Sequence, residues 1–477
     1  MVLPDKVESL WIATTPGTSY PNLANNTKTD VVIVGGGIAG LNVAYFLKKK
    51  GLKVIVVEAR NIALGTSGNT TAKVTSQHVL KYSYLINNFG KDKAKIYADA
   101  NQWAIGKLEE IIGNEKINCD FCKTSAYTYT KKVDEVSEIK NEVATAQKLN
   151  LPASFVDHID LIPFKIHGAI KFDNQAYFHP RKYLLALANK INDQNNHIFE
   201  QTKALDIKDG EGECEVITDK GNIKAKFVVI ATNFPFYDKD NVFSTMPKTH
   251  SFVIAGKASY DQFKGVLIGT GEKDISLRHH TEHQDKWLLI GGTHQLNNKQ
   301  STDESYKHLS NESSQFNIES ISYKWGAQDS NPSDRVPYIG FYPNSKRVLV
   351  TTGFGAWGMT TSFVSAKILT DLITDGKSEW EALYSPSRLK SDIRSNKNNM
   401  DSTKDKGQVI IKSGKPIAVY TDEKGVKHSV SAVCTHMGCT VGWNDKDKTW
   451  DCPCHGSRYD KFGKVINGPA PKDLPKV

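Results

Sequence analysis

DVVIVGGGIAGLNVAYFLKKKGLKVIVVEAR, residues 30–60, decides how the front of this 477-residue chain folds. Val31 to Val34 has the composition of a buried strand, and it runs into Gly35-Gly36-Gly37-Ile38-Ala39-Gly40. The spacing then predicts a helix to about Lys50 and a second strand from Lys53 to Val57 that ends at Glu58. This is a βαβ unit with a GxGxxG turn between its first strand and its helix. Gly35 permits the tight turn, Gly37 lets the backbone approach a pyrophosphate, and Gly40 allows close helix–strand packing. The helix N-terminus supplies free N–H groups and a partial positive charge for phosphates. Glu58, 18 residues after Gly40, is placed to accept hydrogen bonds from a ribose 2′-hydroxyl and to repel a 2′-phosphate. A glycine-rich turn alone is a weak signal. Here Ala44, Leu47, Gly51 and Val54 also fall where a βαβ unit requires them, which favours a dinucleotide site over a plain βαβ unit.

More distant segments bear on which dinucleotide. The polar loop NIALGTSGNTTAKVTSQH spans Asn61 to His78; FVVIAT, Phe227 to Thr232, is an apolar strand; DRVPYIG begins at Asp334. TTGFGAWGMTTSFVSAKILTDLI then gives a strand, a glycine-rich turn and an amphipathic helix, and so a second helix N-terminus beside the first. GTSGNTTAK, FHPRKY (Phe178 to Tyr183) and GFGAWGMT resemble the D-amino acid oxidase-like family of FAD oxidoreductases, in its glycine oxidase and glutamylputrescine oxidoreductase branch. The resemblance covers roughly residues 8–380. It implies FAD, with Gly353 to Thr360 near the flavin pyrimidine end and Thr70 to Lys73 near the isoalloxazine. The flavin-binding set it implies is Gly35, Gly37, Ile38, Ala39, Gly40, Glu58, Ala59, Arg60, Thr66, Ser67, Thr70, Thr71, Ala72, Ala231, Thr232, Gly353, Gly355, Trp357, Gly358, Met359 and Thr360. A helix N-terminus at Trp357 to Thr360 stabilises negative charge on a reduced flavin.

Near the C-terminus, CTHMGCTVGWNDKDKTWDCPCHGSRYD (Cys434 to Asp460) holds four of the chain's seven cysteines. Cys434 and His436, then Cys452 and His455, make C-x-H, 15 residues, C-x-x-H. Tetrahedral zinc accepts the same ligand types, but zinc sites usually pair C-x₂₋₄-C with H-x₃₋₅-H. One Cys and one His per box suit a 2Fe-2S cluster in which one iron takes two thiolates and the other two imidazoles. CTHMGC and CPCHGS resemble the boxes of Rieske proteins of cytochrome bc complexes, and Gly468-Pro469-Ala470 resembles their third, proline-bearing loop. The resemblance implies a disulfide between Cys439 and Cys454, a hydroxyl bond from Ser457 to a bridging sulfur, and one from Tyr459 to a cluster cysteine. Donors to sulfur favour the reduced cluster and a potential in the upper Rieske range, roughly −150 to +300 mV. The alternative is that both hydroxyls serve backbone groups.

The fold class expected is therefore α/β: a two-domain, Rossmann-like FAD-binding fold with an inserted antiparallel-sheet substrate domain, followed by a small all-β Rieske domain. Residues 1–384 form the oxidoreductase, with FAD-binding segments at about 28–80, 200–245 and 330–384 and substrate-domain segments at about 81–199 and 246–329. Ser385 to Gly407, polar and charged, reads as a linker to a Rieske domain over 408–477.

Three side chains are candidates for catalysis. Lys73 resembles by position a basic residue near flavin N5, or is a surface lysine. His179 lines the pocket, or caps a helix that begins at Pro180. Arg278 pairs with a substrate carboxylate, or is an exposed charge on a strand edge. His279, His280, His283 and His294 lie on a predicted hairpin and are read as satisfied or exposed rather than as metal ligands; Cys119 and Cys122 are read as structural.

Composition sets the outer bounds. The chain carries 61 Lys and Arg against 52 Asp and Glu, a net charge of +9, without a basic stripe, so no nucleic-acid partner is expected. No apolar run is long enough to span a bilayer, and the expected location is the cytoplasm. A ring-hydroxylating oxygenase needs a mononuclear iron site after its Rieske domain, yet only 22 residues follow His455. The expected activity is oxidation of a C–N bond in a small amine or amino acid, with electrons passing from FAD to the cluster and on to an external acceptor. The alternatives are reversed flow from a partner, or an electron carrier without an amine substrate.

Overall fold

The computed structural model describes residues 2–160, 162–238, 243, 246–258, 265–271, 273–282, 284–296, 302–388, 405–412, 415–435, 438–444, 448–452, 457–467, 470 and 472–477. Thr27–Val34 is the strand expected from VVIV, and Ile38–Lys49 is the helix that follows it. Val54–Val57, all four residues buried, pairs in parallel with it in the register Val31↔Val54. The other neighbour is Asn222–Ile230, also parallel, with Val31↔Phe227. Val348–Thr352 and His197–Phe199 extend the parallel sheet on either side, Tyr338–Phe341 adds an antiparallel edge, and a hairpin of Ala204–Asp209 and Cys214–Thr218 completes eight strands. Burial on both faces explains why the central strands read as continuous β-branched runs.

A second, nine-stranded sheet is ordered Ile318–Ser330, Lys248–Ala258, Asp285–Leu296, Ser276–Glu282, Val266–Gly269, Cys122–Thr130, Gly168–Tyr177 and Lys73–Val74, with Ala153–Val156 pairing on Gly168–Tyr177. It is antiparallel apart from Val266–Gly269 against Cys122–Thr130, which is parallel. The two sheets share their surroundings closely. Lys73–Val74, from the stretch expected with the flavin segments, joins the second sheet, whereas His197–Phe199 joins the first. Helices Lys91–Glu115 and Ile38–Lys49 both pack on Gly358–Asp375, so a single apolar core runs beneath the first sheet and the helical segments.

Among the described residues the C-terminal lobe is all β: three antiparallel strands, Lys406–Lys412, Lys415–Thr421 and Lys427–Ser431, and four more, Gly442–Asn444, Thr449–Asp451, Arg458–Asp460 and Val465–Asn467. The first of these begins at Lys406, inside the stretch read from sequence as linker. Its hairpins are closed by chemistry visible in the sequence. Asp422 Oδ1 accepts from the N–H groups of Lys424 and Val426, and Gly425 takes φ = +87°, which glycine adopts without strain. Trp450, Tyr459, Tyr420, Cys434 and Cys452 form the core of this lobe.

Candidate flavin and cluster sites

Two glycines of the first motif have no room for a side chain, and a third has little. Gly35 holds φ = +116° and a Cβ there would lie 2.5 Å from Ala231 O; one at Gly40 would lie 1.9 Å from Gly35 O; one at Gly37 would lie 3.1 Å from Ser67 Oγ. The helix opens at Gly37 without a side-chain cap of its own, and Ser67 Oγ accepts from Ile38 N at 2.9 Å. Ala39 and Gly40 are buried in its first turn. Glu58 closes the turn: Oε2 accepts from Gly36 N at 2.8 Å and Oε1 from Arg60 N at 3.0 Å, and each carboxylate oxygen keeps a further lone pair for a ribose. Ala59 lies between these two anchors.

The distant segments converge on this turn. Ala231 N donates to Val34 O at 2.8 Å, and Thr232 Oγ1 donates to Phe234 O. Thr66 Oγ1 donates to Gln328 O at 3.4 Å. Gly353 and Gly355 take φ of +75° and +54°, and a Cβ on Gly353 would lie 2.5 Å from Pro332 Cγ. Trp357 starts helix Gly358–Asp375 with no side-chain cap, leaving its first N–H groups available, with Met359 and Thr360 buried behind them. His78 stacks on Trp357 at 4.4 Å and holds Thr360 Oγ1 at 3.3 Å. Two helix N-termini whose own N-cap residues supply no side-chain cap, and a glycine turn that a single Cβ would fill, are the features a long dinucleotide such as FAD requires.

The Thr70–Lys73 segment is half-buried, with Ala72 fully so. Trp11 Nε1 donates to Thr70 O at 2.7 Å, Thr70 Oγ1 accepts from Ala72 N, and Ala72 takes φ = +53°. Arg278 donates to Thr71 O at 2.6 Å and to Phe178 O at 2.9 Å, and its guanidinium lies over the rings of Trp11 and Tyr177, 4.8 and 4.6 Å from their centroids. It is fully buried on a strand with neighbours on both sides, so the exposed strand-edge alternative does not hold for it. Lys73 donates to Ser276 Oγ. Burial, and secondarily the charge of Arg278, lower its pKa to about 7, so the surface-lysine alternative fails as well.

His179 does cap the helix that begins at Pro180: its Nδ1 accepts from Lys182 N at 3.2 Å. Its other ring nitrogen faces Thr14 Oγ1 at 3.1 Å, and burial lowers its pKa to about 2, so it is neutral. A cavity of about 510 Å³ opens beside it, lined by Asp120, Phe121, Cys122, Tyr177, Lys182 and His280 among others. Asp120, His280 and Glu282 bring ligand atoms within 4.8 Å of one another, but the Lys182 ammonium already sits 2.8 Å from both Asp120 Oδ2 and Glu282 Oε1. His283 lies outside the described residues. Cys119 is a buried free thiol pushed up to about 12, mainly by burial, and carries no reactive thiolate.

In the C-terminal lobe, Cys434 and Cys452 are 1% and 0% exposed, at the heart of the core. Tyr459 donates its hydroxyl to Cys434 Sγ at 3.1 Å. Ser457 Oγ accepts from Ala470 N at 3.0 Å, which ties the third loop to the second box and leaves the hydroxyl proton for another acceptor. Cys439 is disulfide-bonded. His436, Cys454 and His455 lie outside the described residues, as do Gly468 and Pro469. Two buried cysteines with a phenol already aimed at one of them fit a thiolate-bound cluster.

The fold, the two helix termini and the paired thiols define a class: a flavoprotein oxidoreductase with an iron–sulfur domain. The chain belongs to the family of FAD dependent oxidoreductases called DAO, which it matches over residues 30–372, and its residues 395–477 match the Rieske 2Fe-2S domain. FAD and a 2Fe-2S cluster are its cofactors. It is 35% identical over 98% of its length to a Rieske 2Fe-2S iron-sulfur protein of Bacillus subtilis, YhfW, and covers 97% of that protein. Over 58 residues, 12% of this chain and 32% of the other, it is 52% identical to cytochrome b6-f complex iron-sulfur subunit 1 of Nostoc sp.. The crystal structure of L-proline dehydrogenase from P. horikoshii superposes with a TM-score of 0.65 at 20% identity, covering 78% of this chain and 99% of that one. No helix among the described residues is long and apolar enough to cross a membrane.

Proposed function

We propose that this enzyme oxidises the C–N bond of a small amine or amino acid and delivers the electrons, through its own Rieske domain, to a one-electron acceptor outside the chain. The observation that carries the reading is the presence of a DAO-type flavin fold and a Rieske domain in one chain. The likeness to L-proline dehydrogenase supports a C–N substrate. When bound, FAD takes the substrate's two electrons as a hydride and the cluster takes electrons one at a time.

The chain's own residues have the following tasks in this reading. Lys73, lowered to about 7, exists partly as a neutral amine near neutral pH and is able to hold or release a proton at Nζ beside Thr71 and Ala72. Arg278 fixes the Thr71 and Phe178 carbonyls and so orients the wall that carries Lys73. His179, neutral, positions the helix that starts at Pro180 through Lys182 N. The buried ring of Trp11 and the half-buried ring of Tyr177 pack against the Arg278 guanidinium and back this wall. Ser457, Tyr459 and the four cluster ligands Cys434, His436, Cys452 and His455 hold and tune the acceptor, with Cys439 and Cys454 bridging its loops.

The test compares the wild-type enzyme with Cys434→Ser, turned over on a panel of amines and amino acids with a one-electron dye or with dioxygen. The reading expects dye reduction that collapses in the variant while FAD content is kept. Aerobic turnover to hydrogen peroxide at equal rates in both proteins sinks it.

A further inference from the structure

The strand Lys248–Ala258 has a use that its sequence, KTHSFVIAGKA, does not announce. Its first residues pair with the end of Ile318–Ser330 in the register Lys248↔Ser330, Thr249↔Asp329, His250↔Gln328. On one side this strand tip touches the flavin cradle. Gln328 O accepts from Thr66 Oγ1 at 3.4 Å and from Asn233 Nδ2 at 3.2 Å, and Ser330 O accepts from Gly355 N at 3.2 Å. Thr66, Asn233 and Gly355 come from, or directly follow, the three segments that converge on the flavin site.

The other side of the same tip meets the cluster lobe. Lys248 Nζ lies 3.7 Å from the position a Cβ would take on Gly442, and its charge is within electrostatic reach of Asp451 and Cys452. The ammonium also sits 4.5 Å from the centroid of the Phe234 ring. His250 is 9% exposed, lies within reach of Asp451 and Arg458, and takes the Gln328 side-chain amide at 2.9 Å. Gln328 Oε1 is buried and has no hydrogen-bond partner among the described residues. A second contact lies at the neighbouring cluster loop, where Lys203 Nζ donates to Gly438 O at 3.4 Å. Gln328, beside the flavin cradle, is thus hydrogen-bonded to His250, which lies within electrostatic reach of Asp451, the residue beside a cluster cysteine.

We propose that Lys248 and His250 dock the cluster lobe on the flavin lobe and that electrons pass between the two centres across this strand tip with the cluster lobe in place. This deepens the internal electron path proposed above and rests on it for its function. With both groups bound, FAD would supply its two electrons singly and the cluster would take one at a time, a one-electron acceptor outside the chain reoxidising it before the second electron follows, while the flavin's proton would leave to solvent. The positive charge of Lys248 near Cys452 also favours the reduced, more negative cluster.

The test uses the full-length holoenzyme as wild type, Lys248→Glu, Lys248→Met and Lys203→Glu, the last at an exposed position where folding is safe. Small-angle scattering and amide exchange report docking, and the rate at which electrons delivered by a photoreduced deazaflavin distribute between flavin and cluster reports the route. Docking predicts that Lys248→Glu enlarges the particle, raises exchange in residues 249–254 and 438–444 at least about tenfold, and slows equilibration by a similar factor. Lys203→Glu shows the same changes more weakly, and Lys248→Met lowers the cluster potential. Unchanged scattering and exchange in both glutamate variants overturn the docking contact. Equal equilibration rates in a docked wild type and an opened variant overturn the route. Failure of every amine to reduce the wild-type flavin counts against the proposed substrate class alone and leaves the docking measurements as they are.

Discussion

The flavin cradle and the cluster lobe reach the same end, a closed site for a redox group, by opposite means. The cradle is assembled from backbone contributed over more than 300 residues: Gly35 closes against Ala231, Ile38 N is held by Ser67, and Gly353 turns against Pro332. The cluster lobe draws its four ligand candidates from a stretch of 22 residues, Cys434 to His455. In the cradle the sequence signal is the absence of side chains, since a dinucleotide is held by N–H groups and close approach. In the cluster lobe the signal is the side chains themselves, because iron selects thiolate and imidazole. The chemistry of a thiolate site is therefore local, and that of a flavin site is a property of the whole fold.

The comparison breaks most sharply under paired substitutions. Gly40→Ala places a Cβ 1.9 Å from Gly35 O, and flavin content is expected to fall more than about tenfold while the cluster spectrum persists. Cys434→Ser should do the reverse, removing iron and leaving FAD. Flavin and iron assays on the two proteins check both directions, and loss of both groups in either variant contradicts the separation. Trp450→Ala tests the small lobe's dependence on its core. The ring is fully buried and its Nε1 donates to Lys461 O at 3.2 Å, so the lobe should lose ~3–5 kcal/mol. Denaturant unfolding followed at the cluster absorbance should show this shift, with the flavin transition barely moved.

A smaller effect concerns pH. The folded-state pKa of Lys73, about 7, lies below its unfolded value of about 10.5. Between these values the unfolded chain holds a proton that the folded chain has lost, so this residue makes stability rise with pH across that window. Lys73→Met should flatten the rise, as read by unfolding free energies at pH 7 and pH 10; an unchanged slope means the lysine is not desolvated. The smallest predicted change is in Tyr459→Phe, which removes the hydroxyl 3.1 Å from Cys434 Sγ and should lower the cluster's midpoint potential without altering iron content.

What the sequence revealed follows the same division. The βαβ turn, the second helix N-terminus at Trp357 and the helix cap at His179 were all legible, because each depends on neighbours a few residues apart. Tyr459 was placed near a cluster cysteine by resemblance, and its hydroxyl does meet Cys434. Arg278 and Lys73 were ambiguous because their burial depends on strand order. Ser276–Glu282 lies between Asp285–Leu296 and Val266–Gly269, a pairing that periodicity does not encode.

Lys248, His250 and Gln328 carried no local signal at all. Nor did Asp329, whose carboxyl is raised to about 6 by burial, against a backbone bond from Ala356. Their placement depends on the pairing of Lys248–Ala258 with Ile318–Ser330, two strands about 70 residues apart, which periodicity does not encode.

The internal electron path is tested most directly by an anaerobic titration of the wild-type holoenzyme with amines and amino acids, recording the visible spectrum and the EPR of the reduced cluster. The account predicts that one substrate class bleaches FAD and that the Rieske signal then grows to a comparable yield. Reduction of both centres by dithionite but by no amine or amino acid would contradict it.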